Sequence, residues 1–263
     1  MSGKRNLKID ELRGMLMILV VVGHIIQYVM CPDTFDYNIF FRIIYSFHMP
    51  LFMCLSGYVN QMVHPDINVE QLIKRIISLV TPFLIWGIFS SLKNGIQYYE
   101  IILYPEKGLW FLWVLAVINV AVYIAYLLEK KVGPAAYILI NLLLLIIPVS
   151  LFGIGLVKIY YTWYALGFVA PKFWSKFKWK KWIKWTGIFG WPITAAFWVR
   201  GAEPLFAHNF NFTGILGKGF AAFCSVYRIY LVPVLGIIFA WTIWGGMASL
   251  QGSMVETYRN AYN

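Results

Sequence analysis

Apolar residues run along this chain in long blocks, separated by short polar or basic stretches. About 20 apolar residues in helical form cover the roughly 30 Å hydrocarbon core of a bilayer, so each block predicts a membrane-spanning helix. The blocks predict spans at 12–30, 39–62, 76–92, 109–128, 134–152, 156–171 and 183–199. The fifth and sixth make a hairpin across Gly153-Ile154-Gly155. The stretch 214–250 is too long for one span and carries Lys218 and Arg228. It reads as an interfacial amphipathic entry followed by an eighth span from about Ile229. The expectation is an all-α polytopic transmembrane bundle of about eight spans, forming one membrane domain over 1–263 without repeats.

Composition strengthens this picture. The chain is 60% hydrophobic and only 13% charged, with a mean hydropathy of +0.69. A soluble domain is about 45–50% apolar and about 25% charged. Aromatic residues reach 19%, and many stand at block ends, where amphipathic rings favour the headgroup level. The bilayer is therefore an expected partner.

The net charge of +11 raises the question of nucleic acid, but the basic residues sit between apolar blocks. With the N-terminus in the cytoplasm, the inner segments hold Lys4, Arg5, Lys8, Arg13, Lys74, Arg75, Lys130 and Lys131. They also hold Lys172, Lys176, Lys178, Lys180, Lys181 and Lys184. That makes fourteen, against three on the outer side, Lys93, Lys107 and Arg200. The bias fits the positive-inside rule at every loop, so the N-terminus is expected inside and no nucleic-acid partner is expected. Cys31, Cys54 and Cys224 show no metal or redox spacing, so no metal is expected. The first block is long, lacks a small-x-small site and follows Asp10 and Glu11, which argues against a cleaved signal peptide.

Ionisable groups inside spans cost about 2.5–3.5 kcal/mol each, so they are candidates for function. His24 lies eleven residues after Arg13. That is almost three helical turns, which puts both on nearly one face, about 16 Å apart. Asp10 precedes Arg13 by three residues and can pair with it. His48, nine residues into the second span, reaches about 14 Å deep from the opposite side. Two histidines at similar depth on antiparallel neighbours could meet. Either could instead serve only as an interhelical hydrogen-bonding group. A neutral buried imidazole suits a general base acting on a hydroxyl. Lys158 and Arg42 read as snorkelling residues, and Ser56-Gly57 as a site of close helix packing.

The run Ile9-Asp10-Glu11-Leu12-Arg13-Gly14, followed by Val20-Val21-Val22-Gly23-His24, resembles the opening of the membrane acyltransferase 3 family. Tyr45 to Phe52 and Leu55-Ser56-Gly57-Tyr58 resemble its fucose 4-O-acetylase-like branch. Lys74-Arg75 before Thr81-Pro82-Phe83, Gly108 to Leu112 with Trp110, and Ala165 to Phe168 are similar to later family blocks. The resemblance implies a bacterial inner-membrane O-acyltransferase that takes acetyl-CoA from the cytoplasm. The acceptor would be a sugar hydroxyl of a surface or secreted glycan or its lipid-linked precursor. It implies a catalytic His24, with Arg13, Lys74 and Arg75 holding the donor, and Trp110 and Ser56 as further substrate contacts. Asp10 would orient the donor with Arg13, and His48 would bind the acceptor or stabilise the oxyanion. An acetyl-histidine relay is the alternative to direct transfer. The family's closing helices and their Gly-x-Asn-Ser-Leu-like block are expected to be missing, which leaves an inactive scaffold as a rival reading. A small-solute transporter is the other, because intramembrane His and Arg also mark solute pathways.

Overall fold

The computed structural model describes residues 7–63, 66–95, 97–105, 109–147, 151–174, 181–200, 203–210 and 212–243. All the regular elements among these residues are helical. Lys4 and Arg5, residues 175–180 of the basic run between Lys172 and Lys184, Gly108, His64 and the stretch beyond Ile243 lie outside the described residues.

Among the described residues, five helical runs are long and apolar enough to cross a membrane: Ile9–Met30, Ile39–Val63, Val69–Lys93, Trp110–Val132 and Gly214–Ile243. The other three expected spans correspond to shorter or less apolar helices, so the expected count of eight rests on sequence spacing alone. One of them, expected at 134–152, is the 12-residue helix α7 (Ala135–Ile146). It stops early because Pro148 follows, and a residue before proline is pushed out of the α region. Ile147 accordingly has an extended ψ of 116°. The turn into α8 (Ile154–Trp174) comes at Phe152 (φ 56°) and Gly153 (φ 70°), one residue earlier than the glycines suggested.

The chain divides into two compact units, Met53–Lys176 and Met1–Phe52 with Phe177–Asn263. In the second of these, α1 (Leu7–Ile25) runs on into a wider π turn, Ile26–Met30, closed by Cys31 N–H donating to Ile26 O at 3.0 Å. The expected second span is broken into α2 (Ile39–Tyr45) and α3 (His48–Val63). Pro50 explains the break. It has no N–H to give to the carbonyl of Ser46, and its ring would clash there in a continuous helix. At the third position of a new helix it costs nothing. The break is buttressed by Trp191, whose Nε1 donates to Ser46 Oγ at 3.2 Å, and by Gly236, whose missing β-carbon leaves room for Phe47. Asn38 caps α2, its Oδ1 accepting from the amides of Phe40 (2.9 Å) and Phe41 (3.2 Å).

The stretch 214–243 corrects the expectation of an interfacial entry followed by a separate span. It is one unbroken helical run of 30 residues, α-helical over Gly214–Val226 and continuing through a π turn at Tyr227–Leu231. Arg228 does not interrupt it, because the wider turn accommodates the residue without ending the helix.

In the unit Met53–Lys176, α4 (Val69–Asn94) starts about two turns before the expected third span. A capping box sets that start. Gln71 N–H donates to Asn68 Oδ1 at 2.8 Å, and Asn68 N–H donates to Gln71 Oε1 at 3.4 Å. Lys74 and Arg75 therefore lie on a helix rather than in a loop. A short α5 (Tyr98–Leu103) leads to α6 (Trp110–Val132). Phe83 against Trp113 at 5.2 Å and Tyr126 O–H to Asp66 at 3.3 Å show α4 and α6 side by side and antiparallel. The C-terminal part of α3 meets α8 backbone to backbone. A β-carbon at Gly57 would collide with Tyr164 O, and one at Gly167 with Cys54 O. The packing role expected of Ser56-Gly57 is thus carried by Gly57, with Ser56 buried beside it.

Candidate functional site

Two polar clusters stand out, one in each unit. The first gathers around His24. Gly23 gives α1 a bare spot onto which the Tyr45 ring packs. Tyr45 O–H donates to Gln27 Oε1 at 3.4 Å, and the Tyr45 ring meets the His48 ring edge-on at 4.6 Å. Tyr45 therefore bridges α1 and the break before α3. His24 and His48 lie close enough for the charge of one to bear on the other. His24 lies between the middle of its span and the C-terminal end. Only six residues, about 9 Å, separate it from Met30.

His48 is buried, and its Nδ1 lies 2.7 Å from Ile44 O. A carbonyl oxygen only accepts, so Nδ1 carries the proton and a neutral ring leaves Nε2 as an acceptor. The same carbonyl also accepts the backbone N–H of Phe47 at 3.4 Å, so Ile44 O is shared between the turn at Ser46–Phe47 and the His48 ring.

Sequence reading missed Arg200 as a member of this cluster. Its guanidinium lies over the rings of Phe35 (5.6 Å), Phe41 (5.9 Å) and Tyr45 (5.6 Å). Its charge also reaches His24 and Asp36. Burial pushes the Asp36 carboxyl up from the usual carboxylate range, and the guanidinium pulls it back. Arg200 is distant in sequence and looked like an ordinary outer-loop cation. The one sequence signal was the aromatic run Phe35, Phe41, Tyr45, which suits a cation.

Arg13 and His24 share a face of α1 with Met17, Val21 and Tyr28, and those three are 51%, 55% and 68% exposed. The opposite face, with Leu12, Leu16, Gly23 and Ile26, is buried. His24 is itself exposed and stacks on Tyr28 at 5.7 Å. Arg13 is half-buried, 6.0 Å from the Phe52 ring centroid, and Asp10 is half-buried in the first turn.

The second cluster lies on α4. Gln71, Lys74, Arg75, Ser78 and Leu79 line a shallow groove of about 440 Å³. Their spacing of three and four residues is that of one helix face. Lys74 also pairs with Glu70 at 2.6 Å, in the favourable Glu-before-Lys order. That pair is exposed and holds the lysine only loosely. Arg75 donates from Nη1 to Asn60 Oδ1. Trp110 does not join the groove. It opens α6, stacked on Tyr160 at 5.4 Å, nine residues (about 13 Å) along the helix from Asn119.

Comparison with known proteins places this arrangement. The profile of the acyltransferase domain family matches residues 6–260. A nodulation protein NolL of Mesorhizobium japonicum is 28% identical over 193 residues, covering 64% of this chain and 48% of the relative. NolL of Sinorhizobium fredii is 30% identical over 186 residues, covering 64% and 49%. The chain thus spans about half the length of the curated relatives it matches. No solved structure matches it. With its Arg13–His24 helix, its long apolar helices and a family match over nearly all of its length, the chain belongs to the membrane acyltransferase 3 family.

Proposed function

We propose that this chain is an integral inner-membrane O-acyltransferase that moves an acetyl group from acetyl-CoA to a sugar hydroxyl. The acceptor would belong to a cell-surface or secreted glycan or a lipid-linked precursor. The observation that carries the reading is the open face of α1 between Arg13 and His24. A histidine facing hydrocarbon costs about 2.5 kcal/mol or more, so this face suits a polar occupant rather than lipid. An acyl-pantetheine arm fits that description, lying along about 16 Å of helix with its thioester at His24.

In the reaction, His24 takes the proton of the sugar hydroxyl as its oxygen attacks the thioester carbonyl. The carbon–sulfur bond then breaks, and the departing thiolate takes up the proton. Burial of His48 with Nδ1 committed to Ile44 O favours its role as an acceptor for the sugar hydroxyl. A neutral His48 has no proton left to offer an oxyanion. The cationic Arg200 is better suited to the negative charge that develops on the carbonyl oxygen. Arg13 with Asp10, and Lys74 with Arg75 in the α4 groove, hold and orient the donor phosphates through charge and guanidinium forks. Trp110 and Ser56 are assigned only a supporting part in substrate binding.

The test is transfer of label from acetyl-CoA to a panel of sugars by the purified full chain. Labelled sugar supports the reading. Acetyl-CoA binding without transfer to any sugar favours a scaffold, and solute flux in liposomes independent of acetyl-CoA favours a transporter. Rapid quench with acetyl-CoA alone separates the two chemical routes, since a labelled protein indicates an acetyl-histidine relay.

A further inference from the structure

The unit Met53–Lys176 contains a chain of buried polar side chains that ends at Arg75. Asn119 is 3% exposed, Asn60 5% and Tyr164 0%, so none can turn to water for its hydrogen bonds. Asn119 Nδ2 donates to Leu115 O at 2.6 Å, which fixes the orientation of its amide. Its Oδ1 therefore faces Tyr164 and accepts the phenol O–H at 2.7 Å. With its proton spent, the Tyr164 oxygen is left to accept, and the Asn60 side chain, one turn along α3 from the Gly57 contact with the Tyr164 backbone, is close enough to bear on it. Asn60 Oδ1 is turned towards Arg75, which leaves its amide nitrogen as the donor on the Tyr164 side. Arg75 Nη1 donates to that Oδ1. The two hydrogen bonds of Asn119 have one possible polarity because the Leu115 carbonyl only accepts, and the Arg75 guanidinium can only donate to Asn60.

The geometry is held by close helix contact. Asn60 lies one turn along α3 from Gly57, where the lack of a β-carbon brings α3 against the Tyr164 backbone. Four helices, α3, α4, α6 and α8, each contribute one member. A guanidinium has five N–H donors, and Asn60 occupies one of them. The remaining edge is free to address the groove lined by Lys74, Ser78 and Gln71.

We infer that the Asn119–Tyr164–Asn60 chain is a positioning device that sets the guanidinium of Arg75 for an anionic group of the acyl donor. The three residues act through Arg75 and do not touch substrate. This inference rests on the proposed assignment of the α4 groove to the donor.

Equilibrium binding of coenzyme A to the full chain in detergent tests it without an acceptor. Tyr164→Phe keeps the ring that fills the α3–α8 contact and removes only the hydroxyl. Arg75→Ala is expected to weaken coenzyme A tenfold or more, and Tyr164→Phe three- to tenfold with little change in Tm. The double variant is expected to bind no more weakly than Arg75→Ala alone. Asn60→Ala, made in the same two backgrounds, gives a second route to the same comparison should Tyr164→Phe fold poorly. Losses that multiply in the double variant would show a general structural effect and overturn the inference. So would unchanged affinity in Tyr164→Phe and Asn60→Ala while Arg75→Ala still weakens binding, an outcome that leaves the donor groove standing. Unchanged affinity in Arg75→Ala would remove the donor assignment and the inference together.

Discussion

The Tyr45 ring rests on the backbone of Gly23, its Cε2 2.6 Å from where a β-carbon would stand. Gly23 precedes His24, and Tyr45 touches His48, so this one contact sets how the two histidines approach each other. A methyl group at position 23 has no space unless the ring moves. Gly23→Ala is therefore expected to cut turnover about tenfold and Gly23→Val further, while the fold persists because the neighbouring face of α1 is open. Overpacking of this kind costs about 1–3 kcal/mol, so a modest fall in Tm should accompany the loss. Unaltered turnover in Gly23→Val would separate the Tyr45 contact from catalysis.

Pro50 sets the break between α2 and α3, beside which His48 Nδ1 meets Ile44 O. Pro50→Ala restores an N–H and allows α2 and α3 to join. Pro50 stands in the first turn of α3, where proline is tolerated, so its replacement should leave Tm nearly unchanged. Turnover is expected to drop about tenfold or more, because the backbone amide of His48 then competes for Ile44 O. Steady-state rates read beside thermal unfolding distinguish this from simple destabilisation, which would lower both.

Much of this arrangement was legible in the sequence, and the reasons for the rest are physical. Apolar block length located α1, α3, α4 and α6 because hydrocarbon thickness demands it. The eleven-residue spacing of Arg13 and His24 holds because α1 stays α-helical from Leu7 to Ile25. Block length could not reveal the start of α4, which depends on the Asn68–Gln71 capping box, or the early end of α7, which depends on Pro148. It also could not show that the run after Gly214 stays continuous. Arg200 and the Asn60–Tyr164–Asn119 chain join residues far apart in sequence, and no periodic pattern carries such pairings.

Lys172, one of the cations on the expected cytoplasmic side, forms a partly buried ion pair across α6 and α8. Its Nζ lies 2.6 Å from Glu129 Oε2, with the side chains 28% and 17% exposed. Tyr137 O–H donates to the same carboxylate at 2.8 Å. Removing one partner of a fully buried pair costs about 3–5 kcal/mol. Solvent access at this site scales that down to about 1–3 kcal/mol. Lys172→Met should lower Tm by several degrees, and adding Glu129→Gln should recover most of the loss. A Tm fall in the double variant equal to or larger than in the single would show that the pair matters for something other than charge balance.

The charge of Arg200 bears on His24. If it stabilises the transition-state charge, Arg200→Gln should lower kcat about a hundredfold with little change in the KM for acetyl-CoA, since such donors contribute about 10²–10³ in kcat. A rise in that KM with kcat intact would instead assign Arg200 to donor binding.

The central claim is that His24 performs the chemistry on the open face of α1. Wild type and His24→Ala, each purified as the full chain, should be compared for transfer of label from acetyl-CoA to a sugar that the wild type accepts, with coenzyme A binding measured alongside. The account predicts that His24→Ala binds coenzyme A as the wild type does and loses at least a hundredfold in transfer, the scale of general-base catalysis. Transfer within a few-fold of wild type in His24→Ala would contradict it.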